Sequence, residues 1–274
     1  MPSIPMLTLN DGKAMPQLGL GVWQVANETA AEVVRFALES GYRAVDTAAV
    51  YRNEEGVGEG IRDAGVARDQ VFVTTKVWNA DHGHDETLRA MEASLKRLRM
   101  DYVDLYLIHW PTPAQDRYLE TWRAMVRLRE EGMARSIGVS NFKVPHLERL
   151  LAHTEVVPAV NQIELHPYFQ QREARTFHAA HGIATESWSP LAQGAVAHDP
   201  VVASIADKYG KSPAQVVIRW HLDNGLIVIP KSVTPSRIVE NGAVLDFRLD
   251  DEDLARLASL DQGRRIGPDP DEFS

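Results

Sequence analysis

The chain has 274 residues, 44% of them hydrophobic, enough to bury a sizeable core as one barrel domain or two smaller ones. A formal net charge of -9 argues against the basic face that a nucleic-acid binder needs, and the lack of cysteine excludes disulfides and thiol chemistry. No apolar run approaches a membrane span, and Met1-Pro2-Ser3-Ile4-Pro5 shows no signal-peptide pattern, so a soluble cytoplasmic protein is expected.

In chain order, the first expected element is a β-hairpin. Leu7-Thr8-Leu9 and Met15-Pro16-Gln17-Leu18 flank Asn10-Asp11-Gly12-Lys13, and Asp-Gly is a strong turn signal. Short apolar runs then alternate with helical patterns. The first four runs are Leu20 to Trp23, Arg43 to Asp46, Val71 to Lys76 and Val103 to His109. The second four are Ser136 to Ser140, Ala159 to Gln162, Ala184 to Trp188 and Leu226 to Lys231. Between them lie amphipathic segments such as Ala30 to Ser40 and Glu86 to Leu98. Asn53 is a good N-cap type, with Glu54 and Glu55 in the turn behind it. Ser212-Pro213-Ala214-Gln215 is a capping box with proline at the first helical position.

Eight strands alternating with eight helices is the arithmetic of a (β/α)8 barrel, an α/β fold. A doubly wound sheet would show a glycine fingerprint between its first strand and helix. Here Gly56-Val57-Gly58-Glu59-Gly60 sits inside a helical pattern, where glycine permits close helix packing. No linker or repeat interrupts the alternation, so residues 1-274 are expected to form a single domain. Pro200 to Tyr209 and Asp250 to Leu260 read as extra helices near the C-terminus, and Gly263 to Ser274 as a surface segment.

The strand ends carry the chemistry, because a closed barrel gathers them on one face. Asp46 ends the second strand, with Tyr51 just beyond it; Lys76 ends the third, and His109 the fourth. A buried lysine or aspartate must be paired, and Asp46 and Lys76 stand on neighbouring strands. A tyrosine is a poor acid at neutral pH, and an adjacent ammonium lowers its pKa. Tyr51 as proton donor, oriented Lys76, and His109 holding a substrate oxygen together suit carbonyl reduction. No side chain donates hydride, so a cofactor is implied. Its ring can stack on Trp188, and its amide can bond Ser140, Asn141 and Gln162. Further on, Thr234-Pro235 opens a helix with Arg237 in its first turn, where a cation opposes the helix dipole unless an anion binds there. Lys231 and Ser232 would share that anion, with Asn241 one turn on.

These motifs together resemble the aldo-keto reductases over essentially the whole chain. The resemblance is carried by Gly41 to Ala48 with Tyr51 and Asn53-Glu54, by Thr75-Lys76 and by Asp101 to Pro111. It continues through Ser136 to Phe142, Asn161 to Pro167 and Ile229 to Ser232, and the branch it is most similar to is the prokaryotic 2,5-diketo-D-gluconate reductases. The resemblance implies a catalytic tetrad of Asp46, Tyr51, Lys76 and His109. It implies nicotinamide contacts at Ser140, Asn141, Gln162 and Trp188, and a 2′-phosphate pocket for NADPH at Lys231, Ser232, Arg237 and Asn241. It also implies a substrate wall of Trp23, Trp78 and Trp110 beside His109. Short segments at Trp110 to Arg117 and Ser189 to Pro200, with a brief tail, point to an open pocket for small dicarbonyls and keto-sugar acids.

Three features keep plainer readings. His82-Gly83-His84 lacks partner ligands and is expected to be solvated, so no metal is expected. His166 is expected to be structural, and Glu54-Glu55 a helix-start charge pair. Two rival functions are a metal-dependent barrel hydrolase and a non-catalytic binding or regulatory protein on the same barrel. The hydrolase would need ligands where Lys76 and Lys231 stand, and an intact tetrad disfavours the binding protein. A monomer is expected.

Overall fold

The computed structural model describes residues 3–273. Its entry is the expected hairpin, β1 (Met6–Thr8) antiparallel to β2 (Ala14–Pro16). Leu9 and Met15 at its turn pack with Ala44, Phe72, Leu105, Leu107, Val160 and Ile227, which places the hairpin as a plug against the barrel interior.

Eight parallel strands follow: β3 (Leu20–Gly21), β4 (Ala44–Asp46), β5 (Phe72–Val77), β6 (Val103–Ile108), β7 (Ala134–Ser140), β8 (Val160–Glu164), β9 (Ala184–Trp188) and β10 (Ile227–Val228). They pair in sequence order, and parallel bridges at Leu18–Val228 and Gly21–Lys231 bring β10 back to β3. The barrel closes, and each expected apolar run overlaps one of its strands. Every residue of β5 and β6 is buried, as strands covered on both faces must be.

Barrel helices are α1 (Asn27–Glu39), α2 (Glu54–Asp63), α3 (His84–Leu98), α4 (Tyr118–Glu130), α5 (Val144–Leu151) and α6 (Arg172–Ala180). Then come α7 (Pro200–Tyr209), α8 (Pro213–Asp223), α9 (Pro235–Gly242) and α10 (Asp251–Ala258). The two extra helices are α7 and α10. The capping box of α8 forms as expected, with Gln215 N donating to Ser212 Oγ and Ser212 N to Gln215 Oε1. A Cβ on Gly56 would meet Asn27 O at 2.2 Å, and one on Gly58 would meet Leu98 O at 2.1 Å. The α2 glycines therefore serve close helix packing, not phosphate binding.

Three features carry more than expected. Asn53 precedes α2 but caps nothing; its side chain accepts from Thr47 Oγ1 and donates to the carbonyls of Val22 and Val25. It ties the loop after β4 to the loop after β3. Glu54 stands in the first turn of α2 with Glu55, as expected, but it is also buried, accepting from Thr75 Oγ1 and Arg97 Nε at 2.6 Å each. The tail does not simply lie on the surface. The backbone N–H groups of Ile266 and Gly267 donate to the buried Glu164 carboxylate at 2.6 and 2.9 Å, which draws the tail across the strand ends.

Candidate active site

The strand-end face gathers the expected side chains. Asp46 closes β4, and the short 3-10 turn Ala49–Tyr51 follows it, with Arg52 reversing the chain at φ 56. Lys76 lies one residue from the end of β5 and is fully buried. Its ammonium donates to Asp46 Oδ1 at 2.6 Å and to the Thr47 carbonyl at 2.8 Å. The same ammonium sits 5.1 Å from the centre of the Tyr51 ring. His109 meets Tyr51 edge-on at 5.6 Å and Trp78 edge-on at 5.2 Å between ring centres.

The electrostatics of this group are set by burial and by a few charges. Burial works against the Lys76 ammonium, yet Asp46, with Tyr51 and Glu186, outweighs it and lifts the pKa above the ordinary lysine value. Burial also raises the Tyr51 pKa, and Lys76 opposes the rise without cancelling it. The sequence argument expected the ammonium to win; desolvation wins instead, because it acts on the whole phenolate charge. Tyr51 thus keeps its proton at neutral pH. Burial first, then Lys76 and His82, hold His109 well below the usual histidine range, so its imidazole is neutral. Its Nδ1 is buried with no partner among the described residues.

A second row of side chains lies on β7, β8 and β9. The half-buried Trp188 indole is fixed by Nε1 donating to Asn141 Oδ1 at 2.8 Å. Asn141, at φ 64, donates from Nδ2 to the His109 carbonyl and to Ser140 Oγ. Asparagine tolerates that left-handed backbone better than most residues. Ser140 Oγ donates in turn to the Gln162 carbonyl at 2.8 Å. Gln162 Nε2 donates to Asp46 Oδ2 at 2.7 Å and to Glu186 Oε2 at 2.8 Å. So Asn141 is largely occupied within the chain, while the amide oxygen of Gln162 has no partner among the described residues.

The expected phosphate residues line a separate groove of about 680 Å³. Lys231, Ser232, Arg237 and Asn241 border it, with Ser189, Gln193 and Gly194 from the loop after β9. Lys231 and Arg237 are both exposed and form no ion pair among the described residues. Arg237 sits in the first turn of α9, which carries no acidic residue there. Cations left unpaired at a helix start fit a phosphate.

The three tryptophans do not act alike. Trp78 and Trp110 flank His109, and Trp110 is nearly buried. Trp23 is 47% exposed and borders the Lys231–Arg237 groove instead. The tail supplies a wall that the sequence reading missed. Phe273 packs on Trp110 at 4.4 Å and on Trp78 at 6.2 Å between centres, adding a third ring to the aromatic side chains beside His109. A single phenylalanine in an otherwise polar, proline-rich tail was the available signal. Glu186 was missed too; a lone carboxylate amid a barrel strand was its signal.

The glycine loop before α3 also differs from expectation. His82 is buried, bonded through Nδ1 to Thr112 Oγ1 at 3.1 Å, and burial lowers its pKa to about 4. Only His84 of that pair reaches solvent freely. Among the described residues no group of three or more His, Asp or Glu side chains is placed to hold a metal ion. His166 is buried against Glu164 at 3.0 Å, the carboxylate that also anchors the tail. No described helix is long and apolar enough to cross a membrane.

The aldo/keto reductase family model matches residues 15–262, and the chain belongs to that family, whose members are NADPH-dependent oxidoreductases acting on aldehydes and ketones. Among its relatives is the methylglyoxal reductase DkgA of Escherichia coli (strain K12), 57% identical over 270 residues and 98% of each chain. Among solved structures, Gox0644 in its apo form superposes with a TM-score of 0.96 at 53% identity, covering 99% of both chains. A variant of Gox0644 solved in complex with NADPH gives a TM-score of 0.96 at 52% identity, again over 99% of both chains.

Proposed function

We propose that the protein reduces small dicarbonyl compounds, methylglyoxal and keto-sugar acids such as 2,5-diketo-D-gluconate among them, with NADPH as hydride source and Tyr51 as proton donor. The observation that carries this reading is the buried Asp46–Lys76 pair set beside a protonated Tyr51 and a neutral His109, all at one aromatic mouth. The relatives named as methylglyoxal reductases support the substrate class. The flat rings of Trp78, Trp110 and Phe273 beside His109 suit a small planar dicarbonyl.

The residues present fit a phosphorylated dinucleotide. Lys231, Ser232 and Arg237 at the start of α9 receive the 2′-phosphate, with Asn241 one turn on. Trp188 offers a flat, hydrogen-bonded indole for stacking, and Ser140, Asn141 and Gln162 stand beside it. Bound NADPH supplies a hydride to the carbonyl carbon. Tyr51 gives its hydroxyl proton to the carbonyl oxygen, so the product is an alcohol and the phenol becomes a phenolate. Lys76 stabilises that phenolate, and Asp46 keeps Lys76 charged and aimed. His109, being neutral, offers an N–H to the same oxygen without competing as an acid. All these residues come from one chain, so a monomer carries the complete site.

A carbonyl panel tests the reading. The purified protein is mixed with NADPH and each compound, and loss of NADPH absorbance is followed. Dicarbonyls should give the highest kcat/KM, and steroid ketones the lowest. Steroids reduced more efficiently than every dicarbonyl would overturn the substrate class.

A further inference from the structure

One buried ionisable group at the site has no part in the chemistry above. Glu186 lies in β9, directly across from Gln162 in the β8–β9 register, and solvent does not reach it. Its Oε2 accepts from Gln162 Nε2 at 2.8 Å, and the same nitrogen donates to Asp46 Oδ2 at 2.7 Å. A primary amide nitrogen has two hydrogens, so both are engaged. Turning the amide over would put its oxygen against the Asp46 carboxylate at 2.7 Å and would take from Glu186 Oε2 the N–H it accepts. Acceptor would face acceptor in a buried site, which is costly. One orientation of the Gln162 amide remains, with Oε1 directed away from both carboxyls. Neighbouring groups cannot take over that acceptor's work. Asn141 Oδ1 is held by the Trp188 indole, and Ser140 Oγ points its proton at the Gln162 carbonyl.

We propose that Glu186 is a positioning residue: with Asp46 it fixes the Gln162 amide so that Oε1 accepts from the carboxamide of the nicotinamide. The inference rests on the reading of Gln162 as a nicotinamide contact. The charged and titratable groups around Glu186 are Asp46, Lys76 and Tyr51. Burial, then Asp46, raises the Glu186 carboxyl to about 8, against the pull of Gln162 and Lys76. Near neutrality the carboxyl is mostly uncharged. It keeps an acceptor for the amide without placing a second full negative charge beside the Asp46–Lys76 pair.

The test compares two ligands that share the phosphate end of the groove, NADPH and adenosine 2′,5′-bisphosphate, which lacks the nicotinamide. Affinities are measured by calorimetry for wild type, Glu186→Met, Glu186→Gln and Gln162→Met. Glu186→Met removes the acceptor and should weaken NADPH about three- to tenfold, the worth of one hydrogen bond. It should change bisphosphate affinity less than about twofold. Glu186→Gln retains an acceptor oxygen and should restore NADPH affinity to within about twofold of wild type. Equal losses for both ligands in Glu186→Met would mean that Glu186 merely supports the barrel, and the proposal falls. No loss, or a loss in Glu186→Gln as large as in Glu186→Met, also overturns it. Gln162→Met separates the two layers of the argument. If it spares both ligands, the nicotinamide reading of Gln162 is wrong. If it weakens NADPH alone while Glu186→Met does not, only the role of Glu186 fails. Should Glu186→Met not fold, Glu186→Leu carries the same comparison.

Discussion

Replacing Lys76 by methionine perturbs both the stability and the chemistry of the site, and the two effects separate. The Lys76 side chain is fully buried, and its ammonium is bonded to Asp46 Oδ1 and the Thr47 carbonyl. Methionine matches its length but removes three N–H donors. Asp46 is then a buried carboxylate whose remaining side-chain partner is Gln162. Breaking a buried pair from one side costs about 3–5 kcal/mol. Global stability is typically about 5–15 kcal/mol, so the variant should still fold at room temperature, with a clearly lower urea midpoint. Turnover should fall by about 10²–10⁴, because the Tyr51 phenolate loses the cation that stabilises it. The double variant Asp46→Asn/Lys76→Met removes the stranded charge. It should regain about 1–3 kcal/mol of stability over Lys76→Met while remaining as inactive. Urea unfolding and single-turnover kinetics on all three proteins supply the data. A Lys76→Met protein within about 1 kcal/mol of wild type, with the double variant no more stable, would refute the claim that the pair holds the site together.

Two further outcomes follow from the phosphate groove and from the buried imidazoles. Arg237→Ala should weaken NADPH binding by about tenfold or more and leave NADH binding nearly unchanged, because one charge-assisted contact to the 2′-phosphate is lost; fluorescence titration showing equal losses would move Arg237 out of the phosphate pocket. Burial depresses His82, His178 and His221 to about 4, and His109 lies well below its usual range. A depressed folded-state pKa gives stability that is present above about 6.5 and is lost as pH falls toward about 4. Unfolding should therefore take up about four more protons in that window, a slope of about 5 kcal/mol per pH unit at most, and a flat stability from pH 6.5 to 4 would contradict the buried neutral imidazoles.

The barrel was legible because its strands are buried on both faces. Runs such as Val103 to Ile108 then read as apolar blocks between helical periods, and that alternation is local. The Asp46–Lys76 pair was legible for a related reason: charges in such runs demand partners, and adjacent strands supply them. What the sequence hid depends on distant packing. Asn53 has the chemistry of a cap, but the carbonyls of the buried residues Val22 and Val25 claim its amide. Glu54 looks like a helix-dipole charge, yet Arg97 on the next helix makes its burial possible. The tail reads as a polar surface segment because its hold on Glu164 is through backbone N–H groups, which leave no mark in side-chain pattern, and its Asp271 meets Lys143, a residue distant in the chain. The aromatic contact of Phe273 on Trp110 joins residues far apart in the chain. The sign of the Tyr51 shift was missed because burial of a strand-end loop is not readable from composition, whereas its cationic neighbour is.

The central claim is that Tyr51 delivers the proton, and Tyr51→Phe tests it most directly. The substitution keeps the ring that packs against His109 and removes only the hydroxyl. Stability and NADPH affinity should change little, and single-turnover reduction of methylglyoxal should slow by about 10²–10⁴. A Tyr51→Phe protein that still reduces methylglyoxal at close to the wild-type single-turnover rate would contradict the account.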